Sequence, residues 1–200
     1  AELTDIITDG ADEEADEALR ERFYEKVRNP ATSGNKHHYR QWALEVPGVG
    51  DAKVFPLDSG DGTLTVMIVD VDKARNPSLE PAVRDYIETV RPIGATVTVS
   101  SPTMRSVNVS ANVILDGTKT LDDVLAMFKS QFTEYLKSLV FVEYRVSYAK
   151  IGSLLLNIEG VQDYDDLRLN NSTGNIIVGE KEIPAMGTVS LEEVHTIAAD

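Results

Sequence analysis

Residues 44–66, LEVPGVGDAKVFPLDSGDGTLTV, and residues 156–178, LNIEGVQDYDDLRLNNSTGNIIV, align without a gap at an offset of 112, with seven identities in 23 positions. Leu44 falls on Leu156, Gly48 on Gly160, Val49 on Val161 and Asp51 on Asp163, followed by Leu57 on Leu169, Gly62 on Gly174 and Val66 on Val178. Each stretch reads as a helix end, a Gly, a strand, a polar turn and a returning strand. The Gly suits a helix terminus that needs left-handed backbone, and the Val after it opens the strand. Asp58 to Gly62 and Asn170 to Gly174 carry the Asn, Asp, Ser and Gly of turns between apolar runs. The expected fold is α+β, with two similar helix-helix-hairpin units whose helices pack on small antiparallel sheets. Ser100 to Arg105 is polar and contains Pro102, so the division falls there, into residues 1–103 and 104–200.

Working outward, Asp12 can cap a helix in which Ala15, Leu19, Phe23 and Val27 recur every four residues, with Tyr24 widening the stripe and Pro30 ending it. That spacing predicts one buried and one charged face. Thr32 or Ser33 starts a second helix with Tyr39, Trp42, Ala43 and Val46 inward, stopped by Pro47-Gly48. Val49 to Leu57 and Thr63 to Val71 form the first hairpin. Ser78 caps a helix that turns Val83, Ile87 and Val90 inward, and Thr96 to Ser100 is a strand. Val107, Val109, Ala111 and Val113 alternate with Asn108, Ser110 and Asn112 at the period of a half-buried strand. The longest helix runs from Thr120 to about Leu139, and Ser147 opens another. A strand from Val161 to Leu169 and one from Asn175 to Val178 make the second hairpin.

Thirty-three acids oppose 19 Lys and Arg in 200 residues, a formal charge of −14. Nucleic-acid coating relies on a field of cations that releases counterions, so this balance argues against it. The ten acids and two bases of residues 1–25 carry more than half of the charge, whereas residues 26–44 hold Lys26, Arg28, Lys36 and Arg40 and no acid. No apolar run reaches the length of a membrane helix. Zero Cys excludes disulfides, thiolate catalysis and Cys-based zinc sites. The first residues lack a secretion signal and an initiator Met, so the chain reads as a piece of a longer product.

Catalytic signatures fail one by one. Gly48-Val-Gly50 and Gly60-Asp-Gly62 lack a third Gly at dinucleotide spacing, and there is no phosphate loop and no Gly-x-Ser-x-Gly elbow. Asp70 to Glu80 resembles a calcium loop but has Ala74 at a ligand position and Arg75 where Gly is required. His37 and His38 lie about 100° apart on a helix, so they cannot form an i, i+4 zinc pair and suit surface or capping roles. Lys36 to Trp42 mixes bases with aromatics as a single-strand binder does, but Tyr39 and Trp42 share the inward stripe. Asp163, Asp165 and Asp166 are separated by strand alternation. Neither a cofactor nor a metal is expected, and no catalytic residue is assigned.

The stretch DGADEEADEALRERFYEKVRNPATSGNKHHYRQWALEVPGVGDAKVFPL, Asp9 to Leu57, resembles the baseplate J-like family, in particular its XkdT-type branch from contractile-tailed phages and prophages. The landmarks are Asp16 to Arg22, Ser33-Gly-Asn35, Trp42-Ala43 and Gly48 to Val54. Arg91 to Ala95, Val146 to Gly152, Gly160 to Tyr164 and Ile183 to Thr188 extend the resemblance over nearly the whole chain. Family members carry a further N-terminal region. The resemblance implies a structural, non-enzymatic piece of the tail baseplate, in a wedge ring around the hub, assembled in the bacterial host cytoplasm. Its partners would be other baseplate proteins and further copies of itself, with no nucleic acid, membrane or small-molecule substrate. A phage-tail-like bacteriocin or injection system would use the same component. The alternatives are a tail-associated cell-wall glycan hydrolase, which needs two carboxylates across a cleft, and an adaptor to the host surface. For a ring piece the candidate contact residues are Glu13, Glu14 and Glu17 of the acidic helix, Lys36 and Arg40 of the basic stretch, and Asp58 and Asp61 of the first turn. The opposite signs of the first two sets permit a head-to-tail contact between neighbours.

Overall fold

Thr120 begins the longest helix by a reciprocal cap: its hydroxyl accepts from the Asp123 amide, and the Asp123 carboxylate accepts from the Thr120 amide. In this computed structural model, which describes residues 16, 17, 19, 20, 23, 24 and 34–194, that helix runs Leu121–Leu139. Val124, Phe128, Phe132, Leu136 and Leu139 recur at three- and four-residue steps and are buried, and the rings of Phe128 and Phe132 stack at 5.6 Å. Burying each such side chain fully contributes about 1.5–3 kcal/mol.

Four helices are described: α1 (Lys36–Leu44), α2 (Glu80–Val90), α3 (Leu121–Leu139) and α4 (Tyr148–Leu156). The strands are β1 (Val49–Pro56), β2 (Thr63–Asp70), β3 (Thr96–Ser100), β4 (Thr103–Leu115), β5 (Arg145–Val146), β6 (Val161–Leu169), β7 (Ile176–Ile177) and β8 (Glu182–Glu193). The first sheet has the order β1-β2-β3, with β1 and β2 an antiparallel hairpin as expected. Tyr39, Trp42 and Ala43 of α1 and Val83 and Ile87 of α2 pack against Ala52, Val66 and Ile68 of this sheet. The second sheet has the order β6-β4-β8. Alternate residues Val107, Val109, Ala111 and Val113 of β4 face α3 and α4 in the other large core.

The α+β class stands, but the sheets are mixed and not purely antiparallel. β3 joins β2 in parallel, and β8 joins β4 in parallel. The α2 helix carries the chain back across the first sheet, which a parallel neighbour requires. The second hairpin does not form. β6 pairs antiparallel with β4, and the short β7 pairs with β5. β8, which no element was expected to occupy, contains Pro184 and Gly187 and so lacks the pattern of an interior strand; an edge position tolerates both. The caps also move. Asn35, and not Thr32 or Ser33, accepts from the His38 amide, and Asn76, and not Ser78, caps the 3₁₀ turn Pro77–Leu79 that leads into α2. Thr32 and Ser33 lie outside the described residues.

The 112-residue offset recurs in part of the geometry. α1 and α4 are related by it at both ends, as are the starts of β1 and β6. Gly48 and Gly160, between helix and strand, have φ of 94° and 95°, a region that L side chains rarely enter. The correspondence stops after the turn, where β2 is a full strand and β7 spans two residues.

Candidate interaction surface

The acidic helix departs from expectation at its apolar side. Asp16, Glu17, Leu19, Arg20, Phe23 and Tyr24 are helical, but Leu19, Phe23 and Tyr24 are 48%, 60% and 45% exposed and not inward. Glu17 is exposed and pairs with Arg20 at 2.8 Å. Glu13 and Glu14, and the remainder of the Asp12 to Pro30 stretch, lie outside the described residues.

Lys36 is exposed in the first turn of α1. Arg40, one turn on, reaches to the sheet: Nη2 donates to Asp51 Oδ1 at 2.9 Å and Nε to the Ala52 carbonyl at 3.1 Å, while Lys73 meets the other Asp51 oxygen at 2.7 Å. Arg40 therefore ties α1 to β1. Tyr39 and Trp42 are buried as the stripe predicts. His38 has the capping role expected of it, accepting from the Gly34 amide through Nδ1 at 3.3 Å and lying 3.8 Å from the Trp42 ring.

Asp61 is exposed at the hairpin tip, but Asp58 is engaged within the molecule. Lys181 Nζ donates to its two oxygens at 2.6 and 2.8 Å, and Thr65 Oγ1 donates at 2.7 Å. These bonds, that from Lys181 foremost, hold the carboxyl below the usual aspartate range. Beside this clasp Lys53 donates to the Tyr144 hydroxyl and lies over the Tyr144 and Phe55 rings. Val69, Val140 and Ile183 form a small buried cluster at the same junction. Side chains 91 to 123 residues apart thus meet, which no local pattern signals.

Near that junction, α3, the start of β8 and the loop at Asp72 to Arg75 border an apolar groove of about 150 Å³. Leu136, Val140 and Ile183 line it, and Met104 and Met186, 62% and 42% exposed, stand at its mouth. Lys73, Arg75 and Lys137 surround it with Asp72.

Two further features bear on chemistry. Asp70 Oδ1 accepts from the amides of Asp72 and Ala74 at 3.0 and 2.9 Å, so the calcium-like segment is a turn closed on itself. Asp166 and Glu192 share a shallow hollow, but Asp166 is paired with Arg168 at 2.6 Å. Among the described residues no three His, Asp or Glu side chains gather as metal ligands would, and no helix is long and apolar enough to cross a membrane.

Residues 31–101 match the model of the baseplate J-like central domain, and residues 107–192 match that of the baseplate J-like protein C-terminal domain. The chain belongs to the baseplate J-like family. Among baseplate J-like relatives, it is 34% identical over 199 residues to the phage-like element PBSX protein XkdT of Bacillus subtilis, covering 96% of this chain and 57% of that one. It is 30% identical to baseplate protein gp47 of Escherichia phage Mu over 195 residues, 90% of this chain and 52% of that one. The chain thus spans little more than half the length of these relatives. Its fold resembles a chain in the cryo-EM structure of the anti-feeding prophage baseplate, with a TM-score of 0.62 at 15% identity over 86% of this chain and 42% of the other.

Proposed function

We propose that this chain is a structural component of a contractile phage or prophage tail baseplate, where it joins the wedge ring around the hub through protein–protein contacts and performs no catalysis. The observation that carries the reading is the match of both baseplate J-like domains, in order, along one chain. The expected partners are other baseplate proteins and further copies of the chain, assembled in the host cytoplasm. A phage-tail-like bacteriocin or injection system would use it in the same way. Two units, residues 1–103 and 104–200, each with a helix-Gly-strand segment, supply the scaffold.

Stable ring contacts need about 1,200–2,000 Å² or more of buried surface. We place them on the acidic helix with Glu13, Glu14 and Glu17, on the exposed Lys36 beside Arg40, and at Asp61. Asp58 acts from within, holding the hairpin turn to Lys181. The glycan-hydrolase alternative is the weaker one, since Asp166 is already neutralised by Arg168 in the hollow it shares with Glu192.

The test is to tag the chain in its parent particle and image purified tails. Label is expected at the distal end, and deletion of the gene is expected to leave tails without a baseplate. Absence of the chain from purified tails, or turnover of purified cell wall by it, overturns the reading.

A further inference from the structure

The apolar side of the acidic helix and the methionine-mouthed groove are two exposed apolar features on one chain, and neither covers the other. Leu19 and Phe23, four residues apart, lie on one face of the helix and are 48% and 60% exposed. The groove has an apolar floor and, in Met104 and Met186, a mouth of flexible, polarizable side chains that favour aromatic contacts. Its volume of about 150 Å³ is comparable with that of apolar cavities that accept a benzene ring.

We propose that the acidic helix of one copy docks in this groove of a second copy, with Phe23 inserted between Met104 and Met186. This rests on the reading of the chain as an assembly component. Charge identifies the occupant. Residues 1–25 carry ten acids against two bases, with Asp16 and Glu17 exposed beside the stripe. The groove's rim carries three bases, Lys73, Arg75 and Lys137, against Asp72. Lys73 is bonded to Asp51, and Lys137 lies near Glu134 and Asp72, so the exposed Arg75 has the largest share in steering. The copy is a second one because the exposure of Leu19 and Phe23 shows that the chain's own helix does not fill its own groove. Docking would also cover the start of β8, which is an edge strand, and edges left open invite uncontrolled pairing.

Helix and groove are different surfaces, so the contact is heterologous. Each copy donates one helix and receives another, the pattern that generates a ring when the rotation closes. One helical stripe buries less than a standard interface, so free copies meet weakly and a closed ring adds avidity.

The chain has no Cys, so a covalent trap reports the contact directly. Phe23→Cys and Met186→Cys are introduced together in the 200-residue chain, which is oxidised and run on a non-reducing gel. A ladder of dimers, trimers and larger species is expected, while each single variant stops at a dimer. A control pairing Ile93→Cys with Met186→Cys, Ile93 being fully exposed, is expected to yield at least tenfold less ladder. Adding Arg75→Glu is expected to slow ladder formation at low salt by roughly tenfold.

Absence of a ladder above the control, or conversion to ring-closed monomers by docking within one chain, overturns the proposal. A chain that labels the tail end but forms no ladder overturns this contact and leaves the baseplate reading standing. A ladder from a chain never found in tails overturns the baseplate reading instead.

Discussion

Asp58 shows how one carboxylate can fasten two distant parts of a chain. Lys181 donates to both its oxygens and Thr65 adds a third bond, so the folded state favours the ionised form. Its folded pKa lies below the unfolded value of about 3.9. The stabilisation is therefore present above that value and is lost as pH falls through the lower folded one. Asp58→Asn is expected to lower the urea midpoint at pH 6–7, and the gap between variant and parent is expected to close progressively below about pH 4. A gap that stays constant down to pH 2 would show that Asp58 is not held by its charge. Arg40 gives the same lesson in reverse. Its place in a basic stretch suggests a docking charge, but Asp51, eleven residues on in sequence, is its partner. Formal charge is legible in a string of residues; whether a charge faces outward depends on which segment folds against it.

Among the elements, α3 is the one whose limits follow most directly from local chemistry. Thr120, Asp123 and the spacing of Phe128 and Phe132 specify its start and its buried side without help from the remainder of the chain. Thr120→Ala is expected to cost about 1 kcal/mol and lower the melting temperature by about 2–4 °C. Thr120→Ser, which keeps the hydroxyl, is expected to restore most of that in the same thermal scan. The strands behave differently. β4 was visible from its alternation, but its extension back to Thr103 and the existence of β8 rest on their parallel pairing, from Thr103 with Glu182 to Val113 with Glu193. The run Asn175 to Val178 has strand character in isolation. It joins β5 in place of β6 because Tyr144 and Arg145, thirty residues back, present the free edge it meets.

At the scale of the whole molecule, two cores meet through Val69, Val140 and Ile183, backed by the Asp58–Lys181 clasp and the contact of Lys53 with Tyr144. β2 is buried at successive residues from Thr65 to Val69 because one face serves the first core and Val69 serves this junction. Removing the junction's apolar contact should weaken the coupling more than either core. Ile183→Ala is expected to cost about 2–5 kcal/mol and to split a single calorimetric unfolding transition into two. A single transition at an unchanged temperature would mean that the halves are coupled elsewhere. By itself the sequence determined what short-range chemistry controls: the helix periodicities, most caps, the Gly48 and Gly160 junctions, the α+β class and, through long matching strings, the family resemblance. Only the tertiary structure decided which strands pair in parallel, that the second hairpin opens, that Asp58 and Arg40 are held internally, and that Leu19 and Phe23 face outward near no core of their own. The physical reason is separation along the chain. Caps and periodicity act within a few residues, whereas sheet order, ion-pair partners and exposed apolar faces depend on contacts between residues dozens to more than a hundred positions apart.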